Sequence, residues 1–249
     1  MEQIENKKEN SQIEWYKKRE EHWNKMEPNL SSVLGGFEKS QLPDVKCSCE
    51  LLNGLISTKQ LNHHSCLDCA AGVGRVTEYV LCNYFQEIDL FEKNKSFIEK
   101  CRIKFTGNDK IKNIYISSLE KFEFKRKYDL IWVQWCLENL EDEDLGPFLK
   151  KCYDNLNNNG IIIVKENLYN IDDNEKEENE KIDNKMKEKE KKEPSTEFTY
   201  SDLDYAKQRP DAFYINLFLK SNFKIKLHFL NPNWPEDMMP LCVYVLSKN

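Results

Sequence analysis

The chain has 249 residues, 39% hydrophobic and 12% aromatic, which suits one sizeable core with an appended segment or insertion. Its net charge of −6 argues against non-specific binding to nucleic acid or an anionic membrane and permits a basic partner. No apolar run approaches the length of a membrane span and the N-terminus lacks an apolar signal core, so a soluble protein of the cytoplasm, the nucleus or both is expected.

Residues 1–12 are polar and read as frayed. From Ile13 to Met26 the spacing predicts a helix on which Tyr16 and Trp23, seven apart, share an aromatic face. That face either packs onto the domain or forms a lid over a site. Val33-Leu34-Gly35-Gly36 marks a tight turn, and Pro43 opens a helix over about 47–56. His63 and His64 belong to a solvated loop.

The stretch Ser65–Arg75 (S-C-L-D-C-A-A-G-V-G-R) reads as a buried strand, a turn of small residues and the start of a helix near Val76. Small residues let the backbone approach a ligand closely. A second strand, Glu87–Phe91, ends at Glu92, an acid whose spacing from the loop suits the two hydroxyls of a ribose. The loop is neither a phosphate-cradling G-x-x-x-x-G-K-[ST] nor a complete G-x-G-x-x-G. An adenosyl group without a pyrophosphate fits better, and S-adenosylmethionine is the common candidate.

Further strands are predicted over 111–117, 128–134, 161–165, 224–230 and 241–247, with helices over 93–105, 145–156 and 210–221. Asn157-Asn158-Asn159-Gly160 reads as a stop and turn. Residues 170–193 are almost free of apolar side chains and read as a disordered charged insertion. The nine cysteines, odd in number and scattered, read as free and mostly buried thiols. Cys66 and Cys69 form one C-x-x-C, but on a strand they point to opposite faces, so no metal is expected. The alternation of strands and helices predicts an α/β fold: a seven-stranded, mostly parallel, doubly wound sheet closed by an antiparallel hairpin. A helical extension or lid over 1–60 precedes the main domain at 61–249.

The combination of L-D-C-A-A-G-V-G-R, I-W-V-Q-W and G-I-I-I-V-K-E-N, preceded by V-L-G-G, resembles the protein α-N-terminal methyltransferases that modify Xaa-Pro-Lys/Arg N-termini. The resemblance runs from about Trp15 to Ser247. It implies S-adenosyl-L-methionine as cofactor and S-adenosyl-L-homocysteine as product. It also implies that Ala70, Gly72 and Arg75 hold the methionine end, with Arg75 against its carboxylate, and that Glu92 takes the ribose. Leu119 and Glu120 would flank the adenine, Gln134 would touch the cofactor and Trp23 would cover it. Leu34, Gly35, Trp135 and Asn167 would line a peptide channel, and Asp204 and Asn139 would stand at the reacting amine. The implied partners are N-terminal tails of proteins, with no direct nucleic acid, no membrane and a monomeric enzyme.

Three departures from the family pattern matter. Ala70 replaces a usual Gly, tolerable if its φ stays negative. Asn139 replaces a usual His. Ser201, Tyr205 and Ala206 around Asp204 replace an acidic residue and small hydroxyl residues, which bears on the preference for Lys or Arg at the third substrate position. Two other readings stay open: a small-molecule amine methyltransferase on the same fold, and a cofactor-binding relic with weak catalysis.

Overall fold

The computed structural model describes residues 2–169, 199–201 and 204–249. Its strands are β1 (Ser65–Cys69), β2 (Glu87–Glu92), β3 (Ile111–Ile116), β4 (Tyr128–Gln134), β5 (Leu156–Asn167), β6 (Thr199–Tyr200), β7 (Lys207–Gln208), β8 (Phe223–Leu230) and β9 (Leu241–Lys248). Its α-helices are α1 (Glu2–Lys25), α2 (Leu30–Val33), α3 (Gln41–Ser57), α4 (Arg75–Tyr79), α5 (Lys95–Lys104), α6 (Asp142–Asp154) and α7 (Asp211–Lys220). Seven strands form one sheet in the order β3-β2-β1-β4-β5-β9-β8. The first five are parallel; β9 runs antiparallel to β5 and to β8.

The central strands are apolar because both faces of the sheet are covered. Every residue of β1 and β4 is buried. On one face Leu67, Ile131 and Ile162 pack with Leu145, Phe148 and Leu149 of α6 and Tyr214 and Phe218 of α7. On the other, Cys66, Leu130, Trp132 and Ile163 pack with Cys47, Leu52 and Leu55 of α3. Cys66 and Cys69 thus enter opposite cores, as the strand period requires. All nine cysteines are free thiols and seven are buried.

The structure corrects the sequence reading in three places. Helix α1 begins at Glu2 rather than near Ile13. Its first turns are rich in Glu, Lys and Gln, good helix formers that extend a helix already anchored further along. Asn157–Gly160 lies within β5 and does not form a turn ahead of it. Tyr128 pairs with Leu156 but Leu130 pairs with Ile161, so β5 carries three extra residues against β4, a large bulge. The short ladder of β6 with β7 was not anticipated. Its closing loop carries Asp204 and is held by Ser201 and Ala206, whose backbone N–H and C=O bond at 2.9 Å. The charged insertion at 170–193 lies outside the described residues.

The strand order reverses between β1 and β4. In an open α/β sheet this is where the loops after the strands part and leave a crevice. The loop after β1 (70–74) and Trp135 after β4 therefore flank one opening.

Candidate active site

Two adjoining cavities occupy that crevice. One is lined by the loop after β1, Glu92, Asn94, Leu119, Glu120, Gln134 and Asn139. The other is lined by Leu34, Gly35, Glu138, Asn167, Asp204 and Trp234. Trp23, Val33 and Trp135 line both and so form the boundary between them.

In the first cavity, Gly72 has φ +58°, a conformation in which an L side chain is strained. A Cβ there would lie 3.0 Å from Val33 Cγ1. Gly74, with φ +74°, has a different cause: its Cβ would collide with the Phe105 ring at 2.6 Å, so it is small for packing. Ala70 has φ +51°, against the expectation of a negative value. Its methyl sits in the left-handed region, at a cost of about 1–2 kcal/mol. Trp135 shares this conformation at φ +52°. For so bulky a residue this is strain on the order of 1–3 kcal/mol, held by its N–H to Lys165 O at 2.9 Å and its Nε1–H to Asn167 Oδ1 at 3.3 Å.

Glu92 receives the Gly72 N–H on Oε2 (3.1 Å) and the Asn94 N–H on Oε1 (2.8 Å). Burial pushes its carboxyl above the usual value, and these two N–H groups pull it back. Each carboxylate oxygen has a second lone pair. The pair of bonds fixes Glu92 against the glycine turn. A diol-accepting acid, a cradle that a Cβ would fill, and apolar Leu119 and Phe97 fit an adenosyl ligand.

Arg75 and Gln134, both read as cofactor contacts, are tied to a residue the sequence did not single out. Asp44 of α3 accepts Arg75 Nη1 (2.7 Å) and Gln134 Nε2 (2.9 Å) on Oδ2, and Lys165 Nζ on Oδ1. Gln134 Oε1 in turn accepts Trp132 Nε1–H at 3.0 Å. Burial alone would raise the Asp44 carboxyl, but Lys165 and Arg75 outweigh it and hold it at about 2. Arg75 also stacks over the Trp135 ring at 4.9 Å. A guanidinium has five donors, so Arg75 can serve Asp44 and still meet an anion in the cavity. The recoverable signal for Asp44 was its spacing: Asp44, Ser48, Leu52 and Leu55 are four, four and three apart, one buried helical face.

Helix α1 roofs the first cavity with Tyr16, Arg19 and Trp23. Tyr16 Oη donates to Asp144 Oδ2 at 2.6 Å, and Trp23 O accepts Asn94 Nδ2 at 2.8 Å. The same helix reaches the Asp204 loop: Trp15 Nε1 donates to Tyr205 O and Arg19 Nη1 to Asp204 O, both at 3.0 Å. Asn139 Nδ2 donates to Trp135 O at 3.1 Å, which leaves its amide oxygen as an acceptor in the cavity. Asp204 Oδ1 accepts the Ala206 N–H at 3.1 Å.

All fourteen residues singled out from the sequence therefore line one or both cavities. Besides Asp44, sequence reasoning passed over Val33 on the boundary, Trp234, which stands 6.2 Å from the Trp135 ring, and Glu138. Glu138 directly precedes Asn139, but nothing in its sequence context marks it.

A seven-stranded doubly wound sheet with a terminal antiparallel hairpin and a cavity at its point of reversal is the architecture of S-adenosylmethionine-dependent methyltransferases. Residues 11–193 match the family model described as AdoMet dependent proline di-methyltransferase, and the chain belongs to that family. It is 31% identical to Alpha N-terminal protein methyltransferase 1 of Dictyostelium discoideum over 252 residues, 99% of this chain and 84% of the relative. N-terminal Xaa-Pro-Lys N-methyltransferase 1 of Homo sapiens is 29% identical over 160 residues, covering 62% of this chain and 71% of the human one. Among solved structures, a SAM-dependent methyltransferase of Leishmania major superposes with a TM-score of 0.78 at 28% identity, covering 94% of this chain and 83% of that one.

Proposed function

We propose that this enzyme methylates the α-amine of protein N-termini of the Xaa-Pro-Lys/Arg type, acting as a monomer. The observation that carries the reading is the pairing of cavities. The cofactor cavity opens past Trp135 into a second one walled by Leu34, Gly35, Asn167 and Trp234, with Asp204 in its lining. A free chain end can enter such a channel amine first. The names of the relatives support the same substrate class.

Gly72, Arg75 and Glu92 would hold the cofactor, with Leu119 and Glu120 beside its base and Trp23 above it. S-adenosylmethionine supplies a methyl group on a positively charged sulfur that departs as the thioether of S-adenosylhomocysteine. The protein's own task is to present a neutral amine in line. An α-ammonium has a pKa of about 7.7–8.0, so neutralising it at pH 7 costs only about 1–1.4 kcal/mol. Orienting the amine against the methyl group contributes more, on the order of several kcal/mol. The Trp135 ring offers a flat apolar wall for a second-residue proline. The Asn139 amide oxygen can accept an N–H from the amine and orient it, and the Asp204 carboxylate attracts the cationic end.

The test is mass spectrometry of Xaa-Pro-Lys and Xaa-Ala-Lys peptides incubated with the enzyme and S-adenosylmethionine. Methyl groups confined to the α-amine are expected, with the proline peptide preferred. Methylation of free amines but of neither peptide would favour a small-molecule substrate.

Asp204→Asn keeps the shape and removes the charge. It is expected to lower kcat by about a hundredfold with cofactor affinity little changed, the scale of a positioned acid-base or charged group. A variant matching the parent from about pH 6 to about pH 9, a range spanning the α-amine pKa, would remove Asp204 from the reacting amine.

A further inference from the structure

The single turn Leu137–Asn139 after β4 sends neighbouring side chains to different cavities. Asn139 lines the cofactor cavity and Glu138 the channel. An amide nitrogen that already donates to Trp135 O cannot take up a proton, so Asn139 orients without acting as a base. Among the described residues, no donor bonds the Glu138 carboxylate.

Eight titratable or charged side chains surround it or share its channel. Arg19 and His22 come from α1, Cys136 from the turn after β4, Glu166 from β5, Asp204 from the β6–β7 loop, Arg209 from the segment after β7, Tyr214 from α7 and Asp237 from the segment between β8 and β9. Arg209 is already occupied: it donates to Asp142 Oδ1 (2.6 Å) and to the carbonyls of Leu140 (2.7 Å) and Leu137 (3.2 Å). Glu166 accepts the N–H groups of Cys136 and Leu137 on Oε1, while its buried Oε2 has no hydrogen-bond partner among the described residues. Burial lowers the His22 ring, so it adds little positive charge. Arg19, 3% exposed, gives Nη1 to Asp204 O, and its buried Nη2 has no hydrogen-bond partner among the described residues. Among the described residues the channel lining holds three carboxylates, Glu138, Asp204 and Asp237, and neither Lys nor Arg, an environment that favours an added cation.

Burial, and next the charge of Asp204, push the Glu138 carboxyl up to about 7, against the pull of Arg19 and Arg209. A substrate α-ammonium lies within about one unit of that value, whereas an ordinary glutamic acid would lie more than about three units below it. A base matched in this way moves a proton with little penalty in either direction.

We propose that Glu138 is the catalytic base of this enzyme, accepting the proton of the substrate α-ammonium while Asp204 holds the amine by charge. The inference rests on the proposed α-amine substrate. One N–H bond of the ammonium breaks, its electron pair stays on nitrogen as the lone pair needed for attack, and the proton passes to a Glu138 Oε. The proton leaves to water when the channel empties, and no other reactant is consumed. Glu138 thereby takes over proton acceptance in a chain whose next residue is an amide.

The test compares the parent, Glu138→Gln and Glu138→Asp on an Xaa-Pro-Lys peptide between about pH 6 and about pH 9, with S-adenosylhomocysteine affinity and melting temperature as checks of folding. For Glu138→Gln, kcat is expected to fall about thirty- to a hundredfold at pH 7. The deficit should narrow to about fivefold or less at pH 9, where most free α-amine is already neutral. Glu138→Asp should recover part of the rate at pH 7, and cofactor-product affinity should stay within about twofold in both variants. Carbon NMR of labelled glutamate in the complex with S-adenosylhomocysteine gives a readout apart from activity: a carboxyl titrating near neutral pH, absent in Glu138→Gln. A deficit that is the same at every pH, or a Glu138 carboxyl titrating in the ordinary range, overturns the inference and leaves the proposed function standing. A parent that methylates no α-amine overturns both.

Discussion

Gly72→Val is expected to lose S-adenosylmethionine affinity by about a hundredfold or more while still folding. At φ +58° any L side chain is strained, and a β-branched one most of all. The new Cβ would also press on Val33 Cγ1 at 3.0 Å. Overpacking of this kind typically costs about 1–3 kcal/mol, and about 1.4 kcal/mol corresponds to a tenfold change in affinity. The loop can relieve the strain only by shifting, which pulls the Gly72 N–H from Glu92 and pushes on the residue that bounds both cavities. Calorimetry with S-adenosylhomocysteine checks the result. An affinity within about threefold of the parent would mean that the cradle does not meet the cofactor.

Asp44→Ala is expected to destabilise the protein by about 3–5 kcal/mol, the usual result of stranding a buried charge. It would leave Lys165, fully buried, and Arg75 without their shared anion. For a chain of this size each kcal/mol lowers the melting temperature by about 2–4 °C, so a drop of about 6–20 °C is expected. A calorimetric melting scan checks it, and a change under about 3 °C would show that the network relaxes without cost. The same carboxylate sets part of the acid response. Its folded value, about 2, lies below the unfolded value of about 3.9. Its contribution is therefore fully present above about pH 4 and is lost as the pH falls through about 2.

The parallel core was legible because its strands are written as apolar runs, as in Leu130–Val133 and Ile161–Val164. The ribose end of the cofactor cavity was legible because the loop that begins at Ala70 and the acid Glu92 lie close together in the chain, whereas Trp23, Leu119 and Gln134 came only with the family resemblance. What escaped depends on distant partners. Asp44 is defined by Lys165, 121 positions away, and by Gln134, 90 positions away. Glu138 looked like one more surface acid, because its surroundings are assembled from α1, β5 and the loop after β6. Asn157–Gly160 carries every local mark of a turn, yet the pairing of β4 with β5 on either side draws it into the sheet. The positive φ of Ala70 could not be read either, since alanine carries no sign of the backbone it is forced to adopt.

Helix α1 touches both ligand sites at once, through Tyr16 and Trp23 over the cofactor cavity and through Trp15 and Arg19 on the Asp204 loop. A swing of this helix wide enough to let a spent cofactor out must also break its two bonds to that loop. The grip on a bound chain end then slackens in the same motion. Any displacement of α1 that opened one site would therefore disturb the other, because one helix carries the contacts to both.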